Sequence, residues 1–235
     1  MKYDYSNRVV IVTGAAGNLG HVVARAFNNS GADIALVDRV SGRLENTFAD
    51  LAGSTHCLFA PPADLNDPVA VGVMVEAVYR HFGRIEILVN VAGGFRAGKP
   101  LHETPVSDWD LMLNQNARSV FITCQAVIPH MLRQGFGKII NIASRAALGG
   151  TAFQAAYSAS KTAVVRLTQS MAEELKDSGI NVNCIMPGII DTPPNRSAMP
   201  SADFSKWVTL QAVADVILFL ASDGARAING ASLPV

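Results

Sequence analysis

The chain has 235 residues, with 19 basic and 19 acidic side chains and no formal net charge. That balance excludes a generally basic surface, and with it nucleic acid as a main partner. Hydrophobic residues at 49% against charged ones at 16% exclude a disordered chain and supply the core of one domain spanning 1–235.

Short apolar, branched runs at 9–13, 34–38, 85–90, 138–144 and 181–186 read as strands buried on both faces, with weaker strands at 56–60 and 231–235. Helical spacing fills 18–29, 68–82, 106–134, 152–177 and 211–220. Strand alternating with helix predicts parallel βαβ units in an α/β fold. The stretch 189–208 has no periodicity and is rich in Pro, Ser and Asn; Pro193, Pro194 and Pro200 argue against a continuous helix there. A connection of that length is usually functional. The apolar run at 9–12 leads into a glycine turn, not a cleavage site, and no stretch approaches the roughly 18–20 residues of a membrane span. A soluble, cytoplasmic protein with no membrane partner is expected. Cys57, Cys124 and Cys184 are odd in number and far apart, and the histidines are scattered without ligand spacing. Both patterns fit a reduced protein with no metal site.

The first strand runs into Thr13-Gly14-Ala15-Ala16-Gly17-Asn18-Leu19-Gly20, where a helix begins. Glycines let a backbone turn tightly against a pyrophosphate, whose charge then sits on the free amides and positive end of the helix. Asp38 closes the second strand about 20 residues on, where a carboxylate can accept from an adenosine ribose and repel a 2′-phosphate. NAD(H) is therefore the expected cofactor, while adjacent Arg39 leaves room for NADP(H). Asp64, beside Leu65, can reach the adenine or cap the helix opened by Pro68.

Further on, Tyr157 and Lys161 are four apart on a predicted helix and share a face, and Ser144 closes the strand before it. A phenol titrates near 10, so it serves as an acid or base at neutral pH only where a cation stabilises its anion. Lys161 is placed to be that cation.

The glycine turn, Asp38, Asp64, Asn90-Val91-Ala92-Gly93, Asn116 seven residues after Trp109, Ser144, Tyr157 with Lys161, and Pro187-Gly188 followed by Thr192 occur in one order. In that order the chain resembles the short-chain dehydrogenase/reductase family over nearly its whole length. The resemblance implies a Rossmann-type, doubly wound parallel sheet and a catalytic tetrad of Asn116, Ser144, Tyr157 and Lys161. It makes Tyr157 the acid or base, Ser144 the group polarising the substrate oxygen, Lys161 a ligand of the nicotinamide ribose and Asn116 the holder of a relay water. Gly14, Gly17, Asn18, Leu19, Gly20, Asn90, Ala92, Gly93, Pro187, Gly188, Ile189 and Thr192 would line the cofactor with Asp38, Asp64 and Leu65.

The implied activity is hydride transfer between NAD(P)(H) and a secondary alcohol or ketone, in a homodimer or homotetramer. Two departures stand out: the glycine spacing differs from the common form, and Asn90-Val91 replaces a double asparagine. Residues 191–207 and Val91-Ala92-Gly93-Gly94-Phe95 are similar to loops of dihydropteridine reductases, which makes a pterin reductase the alternative, although that branch usually lacks the serine found at 144. A cofactor-binding protein without catalysis is the reading from another class, and an intact tetrad speaks against it. Phe95, Arg96, Arg145 and Asn195 fall in loops that such a fold brings to the substrate mouth, with Arg196 near them.

Overall fold

The computed structural model describes residues 3–235. Its strands are β1 (Val9–Thr13), β2 (Asp33–Val37), β3 (Cys57–Phe59), β4 (Ile87–Asn90), β5 (Gly137–Ile142), β6 (Ile180–Met186) and β7 (Ser232–Pro234). Alternation within β1 explains why a sheet forms: Val9 and Ile11 point into one apolar layer, Val10 and Val12 into the other. Every strand pair is parallel, in the order β3-β2-β1-β4-β5-β6-β7. This is the Rossmann-type doubly wound sheet, and the chain reverses its direction of growth between β1 and β4. A crevice opens there at the carboxyl ends of the strands.

One layer packs α3 (Pro68–Phe82), α5 (Ser119–Gln134) and α6 (Ala155–Glu174) on the sheet through residues such as Met74, Val127 and Val164. The other packs α1 (Asn18–Asn29) and α8 (Leu210–Ala221) through Phe27 and Ile217. No helix among the described residues is long and apolar enough to cross a membrane.

The expected elements at 9–13, 18–29 and 68–82 match β1, α1 and α3 at both ends. Others differ. The segment 106–134 is not one regular helix: α4 (Val106–Met112) passes through a π-helical turn at Leu113–Arg118 into α5. Helix α6 starts at Ala155, later than its apolar pattern, because Phe153 has φ 64, outside helical geometry. A short helix α2 (Arg43–Thr47) follows the left-handed Gly42. No continuous helix spans the 189–208 connection, as its prolines predict; Pro193 and Pro194 instead open the six-residue α7 (Pro193–Ala198). Proline is tolerated in the first turn, where its missing N–H has no partner to lose. The cap before α3 is Asp67, accepting from Val69 N at 2.9 Å, so Asp64 is free of that role.

Candidate active site

The crevice at the ends of β1 and β4 holds a cleft of about 480 Å³, lined by Gly14, Gly17, Asn18, Leu19, Gly20, Asp38, Asp64, Leu65, Ala92, Gly93 and Thr192. Two glycines are required by space. A Cβ on Gly14, whose φ is +63, would sit 2.9 Å from Ala92 Cα, and one on Gly20 would collide with the Gly14 carbonyl. Helix α1 carries no side-chain cap and no acid in its first turn. Its free amides and positive end therefore face the cleft, which suits an anion.

Asp38 is 7% exposed and accepts from Val40 N at 3.1 Å. Its other oxygen lies 3.6 Å from Arg43, whose guanidinium also donates to Ala16 O at 3.3 Å. Arg43, Gln115 and Ser119 line the cleft and were not anticipated from the sequence. The signal for Arg43 was faint: a five-residue helix after a glycine leaves little periodicity.

At the nicotinamide end expected from the resemblance, Ser144 and Tyr157 meet. The serine side chain stands near enough to the phenol to act on its titration, and its hydroxyl accepts from Ala146 N at 3.2 Å. Burial raises the Tyr157 pKa, and the Ser144 contact opposes the rise. Lys161 is buried, donates to Ile142 O at 2.8 Å and is pushed down to about 8 by desolvation. The expected effect of Lys161 on Tyr157 is thus not expressed here, because the ammonium is held on a backbone carbonyl.

Asn116 sits in the π-helical turn with both ends of its amide engaged. Gly94 N donates to its Oδ1 at 2.9 Å, and its Nδ2 donates to Gly94 O at 3.1 Å and Ser160 Oγ at 2.9 Å. It ties the loop after β4 to α6, and Gly93 fits beneath, where a Cβ would come within 2.8 Å of Asn116 Oδ1 and 3.4 Å of Lys161 Nζ. Deeper still, Asn90 donates to Asn141 Oδ1 and Asn141 to Thr168 Oγ1, both at 2.9 Å, so Asn90 supports the strands from below. Phe95 packs its ring edge-to-face on Tyr157 at 4.8 Å.

Residues 8–202 match the family described as short chain dehydrogenase. The chain belongs to that family. It is 37% identical over 238 residues to the (2S)-[(R)-hydroxy(phenyl)methyl]succinyl-CoA dehydrogenase subunit BbsD of Thauera aromatica, covering 97% of this chain and 95% of that one. Among solved structures, an NAD+-bound xylitol dehydrogenase superposes with a TM-score of 0.89 at 28% identity over 98% of both chains. ElxO with NADP bound gives 0.89 at 28% identity, over 97% of this chain and 96% of that one. The protein is accordingly an enzyme, an oxidoreductase.

The remaining expected residues of the dehydrogenase divide between the mouth and its walls. Pro187 O accepts from Arg145 N at 3.1 Å, Gly188 N donates to Val235 O at 2.9 Å, and Ile189 is half exposed beside them. Thr192 lines the cleft while its hydroxyl caps α7, accepting from Asn195 N at 3.3 Å. The Asn195 amide donates to Ile190 O at 2.8 Å, so it holds the loop from inside. Arg96 pairs with Asp108 at 2.9 Å on a separate cleft of about 200 Å³, which also has Lys99 and Phe153 in its lining. Arg196 is bound twice by Asp191 at 2.6 Å and lies over the Phe204 ring.

Proposed function

We propose that the enzyme moves hydride between NAD(H) and a secondary alcohol or ketone, with Tyr157 as acid and base. The observation that carries the reading is the juxtaposition of Ser144, Tyr157 and the buried Lys161, whose ammonium is held at the end of β5 just before Ser144. The cleft suits a dinucleotide: a glycine turn packed too tightly for a Cβ at 14 or 20, an uncapped helix N-terminus for the pyrophosphate, and a buried carboxylate for the ribose. Gly14, Gly17, Asn18, Leu19 and Gly20 would hold the phosphates, Asp38 the adenosine ribose, Asp64 and Leu65 the adenine, and Ala92, Gly93, Thr192 and Lys161 the nicotinamide half. Such a cofactor, when bound, supplies or accepts the hydride.

The protein's own groups handle the proton. In reduction, Ser144 hydrogen-bonds the substrate oxygen and Tyr157 Oη gives its proton to the forming alkoxide; in oxidation Tyr157 takes it back. A phenol whose pKa is raised by burial keeps that proton at neutral pH, so donation is favoured until a cation comes close. Lys161 is the available cation. Asn116 acts through Gly94 and Ser160, keeping the loop that carries Phe95 against α6.

A pterin reductase is the second reading, and Phe95 favours it, because its exposed ring beside Tyr157 offers a platform for a flat conjugated substrate. The same proposal includes a single domain over 1–235, a cytoplasmic location and a homodimer or homotetramer. NADH oxidation measured against simple ketones, 3-oxoacyl thioesters and quinonoid pterins tests it. Turnover of the first two groups supports carbonyl chemistry, turnover of pterins alone supports the second reading, and no turnover of any would overturn both.

A further inference from the structure

Three arginines, Arg96, Arg145 and Arg196, stand in segments expected at the substrate mouth, and among the described residues only Arg145 has its charge free. Arg96 is neutralised by Asp108 and Arg196 by Asp191. Among the described residues, Arg145 has no carboxylate within 4 Å and its guanidinium has no hydrogen-bond acceptor. Its place is fixed nonetheless. The residue directly follows Ser144, its N–H donates to Pro187 O, and its stem crosses Gly188, where a Cβ would meet Arg145 Cδ at 3.7 Å and Val208 at 3.8 Å. The side chain therefore lies between the ends of β5 and β6, on the wall that joins the Ser144–Tyr157 pair to the 189–208 loop.

Charge points the same way. Asp108 and Asp191 are each already paired with an arginine, while among the described residues Arg145 and Lys161 have no acidic partner. The exposed guanidinium of Arg145 offers a planar fork that matches a carboxylate with two parallel hydrogen bonds.

We propose that Arg145 binds a carboxylate of the substrate, so that the substrate class is an oxo acid or the corresponding hydroxy acid with its carboxylate a few bonds from the reacting carbon. The assignment rests on the proposed function only in taking the Ser144–Tyr157 end as the substrate end. Arg145 is a specificity residue in this account, and the proton chemistry stays with Tyr157.

The test is calorimetric titration of the NAD+-loaded protein, which cannot reduce either ligand, with acetoacetate and with its neutral methyl ester, in the wild type, Arg145→Ala and Arg145→Lys. Acetoacetate should bind about 10-fold or more tightly than the ester in the wild type. Arg145→Ala should bring the two ligands within about 2-fold, Arg145→Lys should keep part of the preference, and NADH affinity should be the same in all three proteins. Equal binding of acid and ester by the wild type, no binding of either, or a preference that survives in Arg145→Ala would overturn the proposal. An Arg145-dependent preference without reduction of acetoacetate, or of any other ketone, would leave the carboxylate site standing and remove the hydride-transfer reading.

Discussion

The guanidinium of Arg43 lies 3.6 Å from the Asp38 carboxylate and 3.3 Å from Ala16 O, so one side chain joins the glycine turn to the acid at the end of β2. Asp38 favours ribose hydroxyls and repels a 2′-phosphate, whereas Arg43 and Arg39 offer that phosphate two cations. The carboxylate is the buried member, so it should win: the wild type should bind NADH more tightly than NADPH. Arg43→Ala should widen the gap by weakening NADPH about 10-fold, as losing one charged contact costs on the order of 1–3 kcal/mol. Fluorescence titration with both nucleotides measures it, and tighter NADPH binding by the wild type would reject the NAD(H) assignment.

Tyr157→Phe removes the hydroxyl and keeps the ring that packs on Phe95. Hydride transfer to a verified substrate should fall by about 10²-fold or more, with NADH affinity unchanged. Single-turnover absorbance at 340 nm separates the two effects. Near-normal rates would mean that another group moves the proton.

Burial lowers the Lys161 pKa from 10.5 to about 8. Between those values the unfolded chain binds the proton that the folded chain has lost, so this group's contribution to stability rises with pH. Below pH 8 the whole cost of burying the ammonium is present. Urea unfolding of the wild type and Lys161→Met at pH 7 and 9.5 should show the wild type gaining about 2 kcal/mol relative to the variant. A difference independent of pH would mean that Lys161 titrates normally.

Val106, Trp109 and Phe121 are 73%, 43% and 50% exposed along α4 and α5. A second copy of the chain meeting this face would bury them in a closed, isologous interface. Light scattering at micromolar concentration should give a dimer or tetramer mass, and Phe121→Asp should shift it toward monomer. A monomeric wild type would contradict the assembly.

The 189–208 connection is closed at its base by the Ile190 and Val208 backbones, with Asp191 N donating to Val208 O at 2.8 Å. Arg196, Phe204 and Trp207 pack together above that base. If the segment acts as a lid, it should move as one piece, and NADH contacts at Thr192 should slow amide exchange across 195–204. Equal exchange with and without NADH would identify a rigid surface loop.

Much of the site was legible because it depends on local order. A glycine turn between a buried strand and a helix, an acid after the next strand, and Tyr157 one helical turn from Lys161 are all short-range patterns, and β1, α1 and α3 fall where their periodicity places them. Asn116 was legible as a residue but not in its geometry. Its bonds to Gly94 and Ser160 depend on a π-helical turn, which inserts one residue's worth of slack without any break in apolar spacing.

The sequence by itself determined the alternation of elements, the phosphate turn and the identity of the Ser144, Tyr157 and Lys161 groups, since strand and helix periods and i,i+4 spacing act over a few residues. Only the tertiary structure decided which charges are spent. Asp108 comes to Arg96, Asp191 to Arg196 and Asp38 to Arg43, and among the described residues Arg145 is left without a partner. Charge pairing falls off within a few ångströms, and that distance between loops is set by how helices and strands pack, which no spacing along the chain encodes.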